Sequence, residues 1–469
     1  MQEGQLSAFD YYCDCDILNK ETEGGVDVRK YLVAGVKPAD GKVAGQPFDT
    51  GVSANYRIPG LVWHKGCLAA SADVRWDREK DGGGIDLVVS RSEDGVNWQY
   101  TYPGYLGDNG NVWDPDSSTL MDPVITSDGE TLYLLADLFP AGYSISDAST
   151  TYAFRDPAAP FTETGELLLS GDGRETYGYC LKDGKVVSLA GEETGYSVRG
   201  WFDLHDRAGN FVSNLFFADS PYQPRATSFI CMTASSDGGK TWSAPELLDL
   251  KDAGTNWLIL GPGSGLVTQR GELAFTAYDG EHIYLVYGRE GAWNKVSTAE
   301  ATNESSIIEL GDGTIRAFVK RGGNNTVAYV DFIRTADGYQ PGALVDTGDG
   351  NFSHCMVSSL RCIGTWKGRE VVLVCCPSDN NGGLWAGRFN GKIYAYTLDE
   401  ENRMTLIGTH QLNEGFFAYS NMAQLPDGAV GVVYEDDCIS YPAGRYEGKA
   451  SHISYTNVDI KEVFWVEFD

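Results

Sequence analysis

Charged side chains that could bind an anion recur in one stretch of the chain, from Tyr56 to Trp98. Arg57 lies in a strand-like run whose neighbours, including Ile58 and Leu61, are typical of buried residues. Burying a guanidinium is costly unless an anion or a carboxylate pairs with it. The sequence therefore predicts that something anionic meets Arg57. The loop that follows, with Asp81 and three glycines, can carry chemistry.

The same stretch resembles the beginning of a sialidase. In that superfamily a Phe/Tyr-Arg-Ile-Pro motif is followed by Asp-box turns, and here Tyr56-Arg-Ile-Pro59 precedes Ser92-Glu-Asp-Gly-Val-Asn-Trp98. The sequence is most similar to bacterial exo-sialidases of the large clostridial type, over the chain from Tyr56 to Glu435. The resemblance implies an enzyme that removes terminal sialic acids from glycans, with retention.

The resemblance gives three residues catalytic roles. Tyr419, in Phe-Ala-Tyr-Ser, would be the nucleophile, and Glu304, in Asn-Glu-Ser-Ser, the base that takes its proton. Asp81 would be acid and then base at the glycosidic oxygen. A neutral tyrosine suits this substrate, because the anomeric carbon of sialic acid bears a carboxylate that repels a carboxylate nucleophile. Taken alone, Glu304 is typical of a solvated side chain and Tyr419 of a strand aromatic; their order along the chain favours catalysis.

Other residues would hold the substrate. By the resemblance, Arg57 and Arg388 belong to a triad of arginines that clamps the substrate carboxylate in planar two-point hydrogen bonds. Glu435 would hold Arg57 in place, and Arg75 stands at the family's spacing before the acid. Asp122 would line the sugar pocket. By themselves, Arg388-Phe-Asn-Gly is also a common surface turn and Asp122 a common turn cap.

The middle arginine of the triad is the point at which the chain departs from the family. Counting from Glu304 without a gap leads to Lys320, with Arg321 beside it. In a regular strand a shift of one residue would turn Arg321 to the opposite face. A bulge at Gly322-Gly323 would restore the face, and a guanidinium fork suits a carboxylate better than an ammonium. We therefore predict Arg321 as the middle member and keep Lys320 as the alternative.

The elements that must position these residues are short strands and turns. With 57 Gly and 26 Tyr residues and few apolar runs at helical spacing, the chain is predicted to be all-β. Its 469 residues are more than one compact hydrophobic core usually holds. A complete Asp box, Ser235-Ser-Asp-Gly-Gly-Lys-Thr-Trp242, joins the shorter one before Trp98 and a remnant at 335–339. Such repeats are typical of a propeller, and the resemblance implies six blades.

An insertion is predicted between the first and second Asp boxes. Its strand-like segments are separated by Lys-Asp-Gly and Arg-Ala-Gly-Asn turns and resemble the β-rich domain inserted in large clostridial sialidases. The predicted fold class is thus all-β, a six-bladed β-propeller with an inserted small β-rich domain. The predicted ranges are 1–151 and 222–469 for the propeller and 152–221 for the insertion.

Composition restricts the partners. A formal net charge of −30 argues against nucleic acid and anionic membranes, so a positive field for an acidic sugar must be local. Ten cysteines without a C-x-x-C pair, with six histidines, argue against a zinc site and favour buried thiols. We expect no cofactor and no metal. Residues 1–10 lack a signal-like pattern and no segment has membrane-spanning length, so a secreted chain with its signal removed and a cytoplasmic chain both stay open.

Two other functions share much of this pattern. A non-catalytic sialic-acid-binding propeller needs the arginines but not Tyr419, Glu304 and Asp81, so the presence of all three favours an enzyme. An intramolecular trans-sialidase that releases an anhydro sugar would share every residue named here, and only its product would differ. In each case we expect a monomer acting on sialylated glycans.

Overall fold

The chain is described by a computed structural model in which short β-strands dominate. The described residues form 32 strands in six sheets and one short α-helix, α1 (Ile460–Phe464). The predicted all-β class is confirmed for this part of the chain. The structure describes residues 37–49, 52–53, 55–76, 81–106, 117–144, 156–171, 176–289, 291–298, 303–321, 326–352, 355–379, 388–436 and 452–468.

The first sheet contains ten strands. They are β1 (Gly41–Ala44), β2 (Asn55–His64), β3 (Cys67–Arg75), β4 (Ile85–Ser92), β5 (Asn97–Gly104), β6 (Thr119–Ser127), β7 (Leu132–Phe139), β14 (Phe229–Ser235), β15 (Glu246–Leu248) and β17 (Gly263–Ser264). The order is β1-β5-β4-β6-β7-β14-β15, with β3 also on β4, β2 on β3 and β17 on β6. Most pairs are antiparallel, but β6 is parallel to both β4 and β17.

A separate six-stranded meander falls within the range predicted for the insertion. Its strands are β8 (Leu167–Leu169), β9 (Tyr179–Lys182), β10 (Lys185–Ser188), β11 (Glu193–Arg199), β12 (Asp203–His205) and β13 (Phe211–Asn214). Each pairs antiparallel with the next along the chain. Its apolar face packs on the first sheet, since one hydrophobic cluster joins Val186 and Leu204 to Leu120 and Leu138. The boundaries 152 and 221 stay a prediction.

Four smaller sheets complete the described chain. Their strands are β16 (Ile259–Leu260), β18 (Leu266–Val267), β19 (Leu273–Tyr278), β20 (Ile283–Arg289) and β21 (Ala292–Ser297); β22 (Ser305–Glu309), β23 (Ile315–Val319), β24 (Ala328–Thr335) and β25 (Gly338–Asp346); β26 (Ser358–Trp366), β27 (Arg369–Cys376), β28 (Phe389–Leu398) and β29 (Met404–Phe416); and β30 (Ser420–Gln424), β31 (Val430–Asp436) and β32 (His452–Val458). All pairs are antiparallel, and three of these sheets are built from consecutive strands, as expected for hairpins. In the five-stranded sheet both β16 and β18 pair with β19.

Contacts between strands of different sheets join the sheets to one another. Strand β2 contacts β6 and β30, while β26 contacts β22 and β30. Hydroxyl pairs join these inner strands, with 2.8 Å between the Oγ atoms of Ser306 and Ser359 and 2.9 Å between those of Ser358 and Ser420. A hydrophobic cluster also joins the last sheet to the first, through Val433 beside Val74. The N-terminal ends of β22, β26 and β30 therefore lie together.

The two Asp boxes are held by local hydrogen bonds. In the complete box, Asp237 Oδ1 accepts hydrogen bonds from the backbone N–H groups of Lys240 and Thr241, and Asp237 Oδ2 accepts one from the Thr241 hydroxyl. In the shorter box Asp94 accepts from two backbone N–H groups in the same way. Trp98 is buried at the base of its turn, so these motifs tie strands together.

Other sequence predictions concern thiols, metals and membranes. Seven cysteines fall within the described ranges; all are free thiols, and six of them are buried. Cys13, Cys15 and Cys438 lie outside those ranges. Over the same ranges no three His, Cys, Asp or Glu side chains are grouped as metal ligands. No helix described here has the length and apolar character needed to cross a bilayer.

Candidate active site

Tyr419 and Glu304 form a buried hydrogen-bonded pair. Each precedes an inner strand by one residue, Tyr419 before β30 and Glu304 before β22. The Tyr419 hydroxyl lies 2.8 Å and 2.7 Å from the two carboxylate oxygens of Glu304. Burial, and then the charge of Glu304, raise the pKa of Tyr419 well above its ordinary value. A hydroxyl held this way needs the adjacent carboxylate as its proton acceptor.

Lys320 joins this pair. Its Nζ lies 2.7 Å from Glu304 Oε2 and 3.1 Å from the Tyr419 hydroxyl oxygen. The side chain is 5% exposed. The backbone explains the contact, because the N–H of Lys320 donates to the carbonyl of Glu304 and so extends the β22–β23 ladder by one step.

Arg321 points elsewhere. Its guanidinium donates to Thr326 Oγ1 at 2.8 Å and to Asp346 Oδ2 at 2.9 Å, next to β25. The β22–β23 ladder is regular from Ser305 to Glu309, so the alternation of faces turns Lys320 inward and Arg321 outward. The structure therefore brings Lys320, and not the predicted Arg321, to Tyr419 and Glu304. Gly322-Gly323, where a bulge was expected, lie outside the described residues.

Arg57 and Arg388 complete a cationic ring around Tyr419. Their guanidinium carbons lie 5.5 Å and 5.3 Å from the centre of its ring, and Lys320 Nζ lies 5.6 Å from it. Arg57 donates two hydrogen bonds to Glu435, at 3.1 Å and 3.3 Å, and the N–H of Ile58 donates a third. Glu435 is fully buried and holds Arg57 by a two-point bond.

Asp81 is ion-paired on the opposite side of Arg57. Its Oδ1 lies 2.7 Å from Arg75 Nη1 and 3.6 Å from Arg57 Nη1. Burial alone would raise the pKa of Asp81, but the charges of Arg75 and Arg57 outweigh it and hold the pKa below its ordinary value. The side chain of Asp81 is 27% exposed, more than the other side chains of the cluster, so a ligand can reach it.

Asp122 is linked to the site by hydrogen bonds that involve Asp73. Its backbone N–H donates to Asp73 Oδ1 at 3.0 Å, and the other oxygen of Asp73 accepts from Arg75 at 2.8 Å. Burial raises the pKa of Asp122, and the nearby charges of Asp73 and Glu304 raise it further. Burial likewise raises the pKa of Asp73, to about 6. That Asp122 lines a sugar pocket stays a prediction.

The known proteins to which the chain is similar carry sialidase names. No profile of a protein family matches the chain. An anhydrosialidase of the leech Macrobdella decora is 24% identical over 82% of this chain, and sialidase B of Streptococcus pneumoniae is 25% identical over 81%. The chain spans 58% and 62% of these two relatives. Among solved structures, an intramolecular trans-sialidase of Ruminococcus gnavus superposes with a TM-score of 0.77 at 23% identity, covering 90% of this chain and 98% of that one.

The chain is a relative of the sialidases. Its assignment to the large clostridial type stays a prediction.

Three residues of this sialidase relative were missed by the sequence reasoning. Asp73 was recognisable, because it stands two residues before Arg75 and so faces the same side of β3. Tyr278 and Cys355 are buried near Glu304. Burial raises the pKa of Tyr278 and the charge of Glu304 raises it further. Burial also raises the pKa of Cys355, to about 11, although the charges of Arg388 and Lys320 oppose it. No sequence signal marked these two, since both arrive from other sheets.

Proposed function

We propose that this chain cleaves terminal α-sialosides with retention, through a covalent adduct on Tyr419. The observation that carries the proposal is the Tyr419–Glu304 hydrogen bond within a ring of three cations. A tyrosine needs a base to become a nucleophile, and a substrate that bears a carboxylate needs cations beside it.

The groups suit a two-step reaction. Tyr419 Oη forms a bond to the anomeric carbon while the bond from that carbon to the glycosidic oxygen breaks. The Tyr419 proton passes to Glu304, and a proton from Asp81 goes to the leaving oxygen. Water then attacks the adduct with Asp81 as base, the Tyr419 oxygen leaves, and Glu304 returns its proton. Two inversions at one carbon give net retention.

Asp81 must be protonated for the first step, whereas its arginine contacts favour the ionised form. The substrate resolves this conflict, because its carboxylate competes with Asp81 for Arg57. Once Arg57 pairs with the substrate, it stabilises the Asp81 carboxylate less, and protonation of Asp81 becomes easier. The acid is thus prepared only when a carboxylate-bearing sugar is bound.

We also propose the finer architecture from the sheet order. The antiparallel units would be the blades of a six-bladed propeller, with β2, β6, β22, β26 and β30 among the inner strands. The meander β8–β13 would belong to a small inserted domain within residues 152–221. The hydrophobic cluster that joins the last sheet to the first supports closure of the ring.

The test is an assay of the purified chain with a fluorogenic sialoside. We expect turnover by the wild type, and loss of most activity in Tyr419→Phe with retained binding of an unsaturated sialic-acid analogue. Tyr396→Phe is the matched control, since Tyr396 is equally buried but lies in another hydrophobic cluster, and it should keep its activity. Normal turnover by Tyr419→Phe would exclude the tyrosyl adduct. Binding without any turnover by the wild type would favour the non-catalytic propeller.

A second candidate is intramolecular trans-sialidation. Two similar proteins, from a leech and from Ruminococcus gnavus, carry the names anhydrosialidase and intramolecular trans-sialidase. The same residues would form the adduct, but a hydroxyl of the bound sugar would replace water in the second step. NMR of the released sugar separates the two, because only free sialic acid supports hydrolysis and only an anhydro sugar supports internal transfer.

A further inference from the structure

Lys320 contacts both partners of the proposed proton transfer. Its ammonium is within hydrogen-bond distance of the Glu304 carboxylate and of the Tyr419 oxygen. A lysine is a compact charge with three rotatable donors on a flexible stem, whereas an arginine offers a rigid planar fork. Lysine is therefore suited to exchanging one partner for another within a small volume.

The reaction changes the charges around this ammonium. In the free protein the ionised Glu304 is its anionic partner, at 2.7 Å. After the adduct forms, Glu304 holds the Tyr419 proton and is neutral, and the Tyr419 oxygen is a neutral aryl ether. The sialosyl carboxylate is then the new anion beside the ring of cations, and the attraction of Lys320 moves toward it.

We propose that Lys320 is a partner-switching cation. It neutralises Glu304 in the free protein and turns to the substrate carboxylate when Glu304 becomes protonated. This inference rests on the proposed function. Arg57 and Arg388 would contact the substrate carboxylate throughout, whereas Lys320 would contact it only while Glu304 is protonated.

Other ionisable groups face the same pair. Around Glu304 they come from several sheets, and each influences or is influenced by its charge: Tyr278 on β19, Asp122 on β6, Cys355 before β26, and Tyr419 before β30. Arg57 and Arg388 lie 5.5 Å and 5.3 Å from the centre of the tyrosine ring. Apart from Tyr419, whose proton is transferred and whose oxygen forms the new bond, none of these groups takes part in the proton transfer to Glu304. Lys320 is in direct contact with the carboxylate that loses its charge.

The proposal predicts a coupling that a simple clamp lacks. If Glu304 holds Lys320 in the free protein, Glu304→Gln releases the ammonium to a bound carboxylate. We expect Glu304→Gln to bind 2-deoxy-2,3-didehydro-N-acetylneuraminic acid roughly tenfold more tightly than the wild type, the order of one charge-assisted contact. Isothermal titration calorimetry at one pH gives each dissociation constant, without any need for turnover.

The double variant decides the assignment. In Glu304→Gln/Lys320→Met the gain should vanish, whereas in Glu304→Gln/Lys320→Arg most of it should persist, because the charge is kept. The double neutral pair leaves no buried charge unpaired, so we expect it to fold, and thermal unfolding checks this. Arg321→Met in the Glu304→Gln background is the neighbouring control; it should keep the full gain because Arg321 is paired with Asp346.

Two results would overturn the inference. One is an unchanged or weaker affinity in Glu304→Gln; the other is an equal loss on Lys320→Met with and without Glu304. Either result with an active wild type refutes the switching alone. A wild type that neither binds the analogue nor cleaves a sialoside refutes the proposed function, and the inference falls with it.

Discussion

At the scale of single residues, the site combines groups that would be unstable apart. Arg57 and Glu435 are both buried, and the burial of each charge is tolerated because the two side chains form an ion pair. Tyr419 is surrounded by cations on its ring and by a carboxylate at its hydroxyl. Asp81 has the most exposed side chain of this cluster, at 27%, which fits the group that must handle the leaving oxygen.

Asp81→Ala should separate substrates by their leaving groups. We expect kcat/KM for 3′-sialyllactose to fall roughly 100-fold or more, because an alkoxide must be protonated as it leaves. For a 4-methylumbelliferyl sialoside the fall should be far smaller, since that leaving group is stable as an anion. Because kcat/KM reports the steps up to the adduct, the later role of Asp81 as base does not obscure the comparison.

Equal losses on both substrates would contradict the acid role. They would mean that Asp81 mainly positions Arg57 and Arg75. Asp94→Ala, in the exposed turn of the first Asp box, is the control and should leave the ratio between the two substrates unchanged.

The choice between Lys320 and Arg321 shows what sequence reasoning can and cannot decide. Counting from Glu304 led to the residue that the structure brings to the site, because the ladder between β22 and β23 is regular. The preference for a guanidinium fork overruled that count, whereas the structure pairs Arg321 with Asp346. Side-chain suitability is a weak guide when a lysine can bind two site residues at once.

At the scale of elements, backbone irregularities coincide with the site residues. Left-handed φ angles occur at Ile58 (59°), Asp122 (55°) and Asn390 (56°). Each falls at a register shift of its strand, and Arg57, Asp122 and Arg388 are the site residues there or beside it. Such conformations cost of order 1–3 kcal/mol and persist where surrounding structure enforces them. The sequence did not reveal them, because Ile gives no warning of a left-handed backbone, and Asp and Asn, which tolerate it better, occur at many other positions of the chain.

The complete Asp box gives a stability prediction. Asp237→Ala removes the acceptor of two backbone N–H groups and two hydroxyls, and should cost about 1–3 kcal/mol in the free energy of unfolding. The remnant box is the matched control. Asp337 is exposed and makes no hydrogen bond within the described ranges. The free energy of unfolding of Asp337→Ala should therefore stay within about 0.5 kcal/mol of that of the wild type.

Chemical denaturation of the two variants measures both values. Equal stabilities would mean that the Asp237 hydrogen bonds merely replace bonds to water. Activity should survive in both variants, since neither turn contributes a residue to the cluster around Tyr419.

At the scale of the whole molecule, composition predicted the class but not the arrangement. Glycine and aromatic content with repeated turns were enough for an all-β chain, because strands and turns have local signatures. The parallel pairing of β6 with β4 and β17 depends on residues far apart in the chain, and no local pattern encodes it. The same holds for Tyr278 and Cys355, which reach Glu304 from separate sheets.

The global charge makes a further prediction. The protein carries a formal charge of −30, while the cations that would hold an anionic substrate are buried and lie 5.3–5.6 Å from the centre of the Tyr419 ring. The distant acidic surface repels a sialoside over a long range, and the buried cations attract it only at close range. Salt screens the long-range repulsion first, since the Debye length is about 10 Å at 0.1 M.

Raising NaCl from 20 mM to 300 mM should therefore increase kcat/KM for 3′-sialyllactose, by roughly twofold to tenfold, with little change in kcat. Steady-state kinetics at constant pH measures this, and potassium chloride in place of sodium chloride should give the same curve. A fall in kcat/KM with salt would show instead that positive charge extends beyond the buried cluster and attracts the substrate from a distance.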